Sequence, residues 1–104
     1  MQAHTLRIAL AHLAPIPGDL AHNRQLVERA VTTAARVGAG WIVTPELIIP
    51  GYTFADIIGT EWIVPQPDAW MMRMGQLAVR LRMTVFLSIP NGTLSPRHST
   101  IRSL

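Results

Sequence analysis

The sequence contains no cysteine and no lysine. Without cysteine, disulfide bonds, thiolate-based zinc sites and a thiol nucleophile are excluded from these 104 residues. All nine Lys/Arg positions are arginines, and charged residues make up 14% of the chain, against roughly 25% in an average soluble protein. The formal net charge is only +3, and the arginines are scattered without an aromatic stacking surface. We therefore predict no nucleic-acid partner.

Long uninterrupted apolar runs are also missing. Proline, aspartate, glutamate or arginine cuts every candidate before the roughly 18 residues that a membrane span needs. The first residues lack the small-residue cleavage site that follows the apolar core of a secretory signal. We therefore predict a cytoplasmic protein with no membrane partner. The histidines are far apart and no phosphate-binding glycine cluster is present, so we expect no metal and no cofactor.

What is present is an alternation of β-favouring runs and helical stretches. Strands are predicted at 6–13, 41–44 and 84–89, and two long helices at about 20–37 and 69–83, capped by Asp19 and Asp68. A short helical turn is predicted at 54–58, a turn at 90–92, and at most a short strand near 99–102. Consecutive strand-helix-strand units give parallel strands. The predicted fold class is therefore α/β, with the order β-α-β-α-β.

Each long helix carries one apolar stripe. The stripe residues recur at steps of three and four, which predicts that both helices pack against the sheet. They are Leu26, Val27, Ala30, Val31, Ala34 and Ala35 in the first helix, and Trp70, Met71, Met74, Leu77, Ala78 and Leu81 in the second. On the other side of the first helix, Arg24 and Glu28 have the spacing of an i,i+4 ion pair.

The only functional signal lies in residues 41–52. Pro45 cannot donate to a sheet ladder, so the second strand should stop there and Glu46 should lie just past its carboxyl end. Ligands of open α/β sheets bind at that edge. Glu46 is therefore the candidate catalytic residue, although a single glutamate after a strand is also a common solvated loop residue, and the residues alone leave both interpretations open.

The order of motifs resembles the amino-terminal part of the nitrilase superfamily of carbon–nitrogen hydrolases. The matching features are the opening strand at 8–13, Gly18-Asp19 followed by Asn23, the glycines at 38 and 40, Pro45-Glu46-Leu47, Gly51-Tyr52, and the helix and strand ending near Ile89. This resemblance implies a four-layer αββα sandwich, of which residues 1–104 form only the amino-terminal, incomplete part. The missing part should leave one sheet face uncovered.

The resemblance also implies a chemistry based on a glutamate, a lysine and a cysteine. Glu46 matches the family's general base, and Tyr52 is the candidate substrate-binding residue, with a small amide or nitrile as substrate. A full-length protein is expected to be a homo-oligomer. Because lysine and cysteine are absent here, we expect these 104 residues alone to be inactive.

Two alternatives remain open. The run Phe54, Asp56, Ile57 and Ile58 after Gly51-Tyr52 also resembles the glutamine-hydrolysing domain of glutamine-dependent NAD synthetases. The second alternative is that the chain is a non-catalytic α/β interaction module. The coding sequence beyond Leu104 separates the module from the hydrolase, because only the hydrolase requires a lysine and a cysteine there.

Overall fold

The computed structural model describes residues 5–90 and 98–100. Its elements are strand β1 (Ile8–Leu10), helix α1 (Leu20–Arg36), strand β2 (Trp41–Val43), helices α2 (Phe54–Ile58) and α3 (Ala69–Leu81), and strands β3 (Thr84–Phe86), β4 (Ser88–Pro90) and β5 (His98–Thr100). The first three strands form a parallel sheet in the order β1-β2-β3. The predicted α/β class with parallel strands is confirmed.

Both long helices begin at the aspartates that the sequence predicts as caps. The carboxylate of Asp19 accepts the N–H of His22 at 3.0 Å, and that of Asp68 accepts the N–H of Met71 at 2.8 Å. These bonds satisfy amides that have no partner inside the helix. Helix α3 ends at Leu81, before the predicted residue 83, because Arg82 adopts a left-handed conformation with φ of 54°.

One face of the parallel sheet is covered by α1 and α3. Ala9, Ile42 and Val85 lie side by side in register on this face. The helix residues that pack with Ile42 and Val85 in one buried core come from the predicted stripes, namely Val27, Val31, Ala34, Trp70, Met71, Met74 and Ala78. The sheet and the two helices therefore form two layers around a single apolar core.

The opposite face of the sheet, here called the open face, consists of Ile8, Leu10, Trp41, Val43, Thr84 and Phe86. These residues alternate with those of the covered face, as side chains along a strand must. In the described part of the chain, Ile8 keeps 50% and Leu10 67% of its surface exposed. The rings of Trp41 and Phe86 contact each other at a centroid distance of 5.1 Å. The open face is thus apolar.

The carboxyl-terminal strands differ from the prediction. The strand expected at 84–89 is divided at Leu87 into β3, which pairs with β2, and β4, which pairs antiparallel with β5. β2 ends at Val43, so the parallel ladder of β3 ends opposite it and the chain turns to a new partner. The strand predicted near 99–102 corresponds to β5, at 98–100. Residues 91–92 of the predicted turn lie outside the described residues.

The ion pair predicted within α1 is also wrong. Nη2 of Arg24 lies 3.8 Å from Oδ2 of Asp68, and its guanidinium lies 5.8 Å from the ring centroid of Trp70. Glu28 instead accepts a hydrogen bond of 2.7 Å from the indole N–H of Trp70. Both charged groups therefore bind across the helix–helix contact, where α3 supplies partners that spacing along α1 does not reveal.

The two faces of the sheet should respond differently to the same substitution. Ile42 on the covered face is 1% exposed, whereas Ile8 on the neighbouring strand is 50% exposed on the open face. Ile42→Ala should lower the free energy of unfolding by about 2–5 kcal/mol, because it leaves a cavity in the core. Ile8→Ala should lower it by less than about 1 kcal/mol. Urea denaturation of both variants tests this, and equal losses would contradict the two-layer arrangement.

Candidate active site

Glu46 lies immediately beyond the carboxyl end of β2, as the sequence predicts. Thr44 fixes that end, because both its N–H and its hydroxyl donate to the carbonyl oxygen of Phe86, at 3.1 and 2.9 Å. Pro45 then leads the chain out of the sheet. The Glu46 side chain is exposed, and among the described residues no hydrogen bond or ion pair engages its carboxylate. The carboxylate is therefore free to accept a proton from a group brought to this edge.

The turn that carries Glu46 spans residues 46–50. Leu47 has φ of 54°, and its carbonyl oxygen accepts the N–H of Gly51 at 2.8 Å. A leucine in the left-handed region is strained, so it persists only where its surroundings hold it. Ile48 and Ile49 are completely buried. The apolar part of the turn is thus anchored in the core while Glu46 remains at the surface.

The turn also packs against the loop between β1 and α1. The N–H of Gly18 donates to the carbonyl oxygen of Pro50 at 2.8 Å. Gly51 has φ of 78°, and a Cβ placed on it would lie 2.7 Å from Cα of Pro17. A residue with a side chain does not fit here. The contact between the two loops therefore explains why a glycine follows the turn.

Tyr52, the second predicted site residue, directly follows Gly51 and is 72% exposed. Glu46 and Tyr52 therefore both lie, exposed, on the segment that follows β2.

Helix α2 begins two residues after Tyr52, and its Phe54 contacts Trp62 edge to face at 5.4 Å. The indole N–H of Trp62 donates to the carbonyl oxygen of Gly59 at 2.8 Å.

A cavity of about 400 Å³ lies elsewhere, along the edge strand β1 and helix α1. Its walls are mostly apolar and include Ala9, Ala11, Leu13, Leu26, Ala30 and Val37. It contains neither Glu46 nor Tyr52. Within residues 5–90 and 98–100, no three acidic or histidine side chains gather as a metal site requires. None of the helices in the described ranges is long and apolar enough to cross a membrane.

Sequence reasoning missed the role of Asn23, which it recognised only as part of a family motif. Asn23 is completely buried in α1 on the same stripe as Val27 and Val31, and it is hydrogen-bonded to both loops described above. A polar residue inside an apolar stripe was the available signal, because a buried amide must find partners.

Comparison with known proteins connects this geometry to a family. Residues 7–98, most of the chain, match the carbon-nitrogen hydrolase family. The chain belongs to the carbon-nitrogen hydrolase family. The predicted resemblance to the amino-terminal part of the nitrilase superfamily is thereby confirmed.

Two types of known protein are similar to this chain. A glutamine-dependent NAD(+) synthetase from Synechocystis sp. is 30% identical over 95 residues, which are 91% of this chain and 16% of that protein. An amidase from Nesterenkonia sp. superimposes with a TM-score of 0.68 at 28% identity, covering 89% of this chain and 35% of the amidase. The chain thus spans about a sixth and about a third of these relatives.

One further amidase structure carries an adduct at its active-site cysteine. A glutamate-to-glutamine mutant of the Nesterenkonia sp. AN1 amidase carries the product of Michael addition of acrylamide at the active-site cysteine. It superimposes with a TM-score of 0.67 at 28% identity, covering 86% of this chain and 35% of the amidase.

Two glycines with positive φ angles compare strain alone with strain and close contact together. Gly59 has φ of 69°, and a Cβ added to it would meet no atom within 4 Å, whereas one added to Gly51 would meet Pro17. Gly59→Ala should destabilise the protein by roughly 1–3 kcal/mol through strain alone, because φ of 69° with ψ of −159° is a region that almost only glycine adopts. Gly51→Ala should cost roughly 2–4 kcal/mol, because overpacking adds to the strain. Chemical denaturation measures both, and a loss below about 1 kcal/mol for Gly51→Ala would argue against the contact between the two loops.

Proposed function

We propose that this chain is the amino-terminal part of a carbon-nitrogen hydrolase domain that acts on a small amide or nitrile, with Glu46 as the general base. One observation carries the proposal: Glu46 lies in the turn directly after β2, in a chain that matches the family over residues 7–98. The free carboxylate at the ligand-binding edge of a parallel sheet supports this role. The amidase structures support a small amide as substrate.

Of the three catalytic groups in the proposed reaction, this chain supplies the glutamate, and other residues supply the cysteine and the lysine. Glu46 accepts the proton of a cysteine thiol, and the thiolate attacks the carbonyl carbon of the amide. A lysine stabilises the negative oxygen of the tetrahedral intermediate. Glu46 then returns the proton to the leaving ammonia as the C–N bond breaks, and water hydrolyses the thioester to release the acid. The cysteine and lysine have no counterpart in the sequence.

The open face of the sheet also supports the proposal that residues outside this sequence complete the site. Four of its apolar side chains, Ile8, Leu10, Trp41 and Val43, remain exposed. In a four-layer sandwich, a second sheet would cover them. We propose that the polypeptide that covers this face also supplies the lysine and the cysteine.

A second candidate is the glutamine-hydrolysing domain of a glutamine-dependent NAD synthetase. The 30% identity to such a protein over 95 residues favours it. The two candidates share the reaction and differ in the amide, since glutamine carries charged groups that a simple amide lacks. Ammonia release from glutamine and from propionamide, measured side by side, distinguishes them.

We expect the isolated 104 residues to release no ammonia from either amide, because the nucleophile is missing. The intact mass of the native product and the coding sequence past Leu104 show whether a cysteine and a lysine follow. In a product that contains them, Glu46→Gln should lower kcat by roughly 10²–10⁴-fold, because proton transfer is lost.

Glu61→Gln is the matched control, because Glu61 is also exposed but lies in the loop after α2. It should leave kcat unchanged. Full activity of Glu46→Gln, or turnover by the isolated chain, would contradict the proposal.

We also propose that Tyr52 contacts the substrate. Its exposed ring and hydroxyl lie on the segment that follows the Glu46 turn. In the active product, Tyr52→Phe should raise KM severalfold with little change in kcat, because a binding contact is lost while the proton transfer remains. A substitution that lowers only kcat would exclude a pure binding role.

A further inference from the structure

Asn23 is the one polar side chain completely buried in the described part of the chain. It lies in the first turns of α1, in line with Val27 and Val31, where the helix faces the core. A carboxamide at such a position destabilises the fold unless its donors and acceptor are all bonded. Its hydrogen bonds therefore show which segments of the chain the Asn23 side chain holds together.

Those bonds join two separate loops. The amide nitrogen Nδ2 donates to the carbonyl oxygen of Ile16 at 2.8 Å and to that of Ile49 at 2.6 Å. The oxygen Oδ1 accepts the N–H of Ile16 at 2.8 Å. One side chain thus clamps the loop after β1 to the turn after β2, and both of its N–H groups are used.

Ile49 belongs to the turn that begins with Glu46. Thr44 holds the near end of this stretch on Phe86, and Asn23 holds the far end, together with the bond from Gly18 to Pro50. The strained Leu47 lies between these two anchors. With both ends fixed, the direction in which the Glu46 side chain leaves the surface is restricted.

We propose that Asn23 is a positioning residue for Glu46, acting through the main chain of Ile49. The inference rests on the proposed role of Glu46 as general base. Asn23 itself is buried beneath the turn and touches no substrate. Its contribution is to keep the carboxylate at one place relative to the end of the sheet.

The test uses NMR of the 104-residue chain with ¹³C-labelled glutamate carboxylates, since the sequence contains only Glu28, Glu46 and Glu61. Asn23→Asp keeps the shape of the side chain and removes both N–H donors, to the carbonyl oxygens of Ile16 and Ile49. The matched control is Gln25→Glu, the same amide-to-carboxylate change at an exposed position of α1.

In Asn23→Asp, hydrogen exchange at the N–H groups of Gly18 and Gly51 should accelerate at least tenfold more than at Ala78 in α3. The carboxylate resonance of Glu46 should move, and Gln25→Glu should change neither readout. A merely structural role would accelerate Gly18, Gly51 and Ala78 together and leave the Glu46 resonance in place. That result, or unchanged exchange, would overturn the inference.

Wild-type exchange decides the question if Asn23→Asp does not fold. The side-chain N–H groups of Asn23 should then show the same protection as the N–H groups of Gly18 and Gly51, because one opening event exposes all of them. Protection no greater than that of the Gln25 side chain overturns the inference.

These readouts are independent of turnover. If the Glu46→Gln enzyme is active, the proposed function is wrong, but the NMR result for Asn23 still holds. If the Glu46→Gln enzyme is inactive and Asn23→Asp leaves the Glu46 resonance in place, only the role of Asn23 is wrong.

Discussion

A sheet has two faces, and within residues 5–90 and 98–100 the helices cover one of them. Burying a large aliphatic side chain contributes about 1.5–3 kcal/mol, while a whole domain is stable by only about 5–15 kcal/mol. Ile8, Leu10, Trp41 and Val43 each already bury part of their surface, so covering the rest of it would contribute roughly 3–6 kcal/mol, a sizeable fraction of the stability of a domain. The open face accordingly favours association with a second apolar layer.

The Glu46 turn shows how an exposed catalytic candidate is held by buried groups. Ile48 and Ile49 anchor the turn in the core, and the buried carboxamide of Asn23 bonds its main chain. Leaving such a buried amide unsatisfied costs about 1–3 kcal/mol for each group. The bonds of Asn23 consequently select one arrangement of the two loops, whereas the apolar contacts alone would tolerate several.

The sequence predicted well wherever the determining interaction is local. The caps Asp19 and Asp68 act within one helical turn, and Pro45 ends β2 by its own geometry, so both helices and the location of Glu46 could be predicted. The partners of Arg24 and Asn23 belong to other elements, and the division of the last strand at Leu87 depends on where β2 ends. The stripe could reveal that Asn23 is a buried polar residue, but the spacing of residues does not reveal which partners these side chains find.

In the proposed function, folding and catalysis both depend on the layer that would cover the open face. General-base catalysis requires a proton donor within about 2.6–3.2 Å of the carboxylate. Among the described residues the carboxylate of Glu46 has no partner, and the sequence contains neither a cysteine thiol nor a lysine ammonium group to provide one. A polypeptide that carries these groups would gain binding free energy from the open face, which is apolar and independent of the substrate. Covering the sheet would therefore provide the energy for bringing the nucleophile to Glu46, so that activity would arise only in a fully folded sandwich.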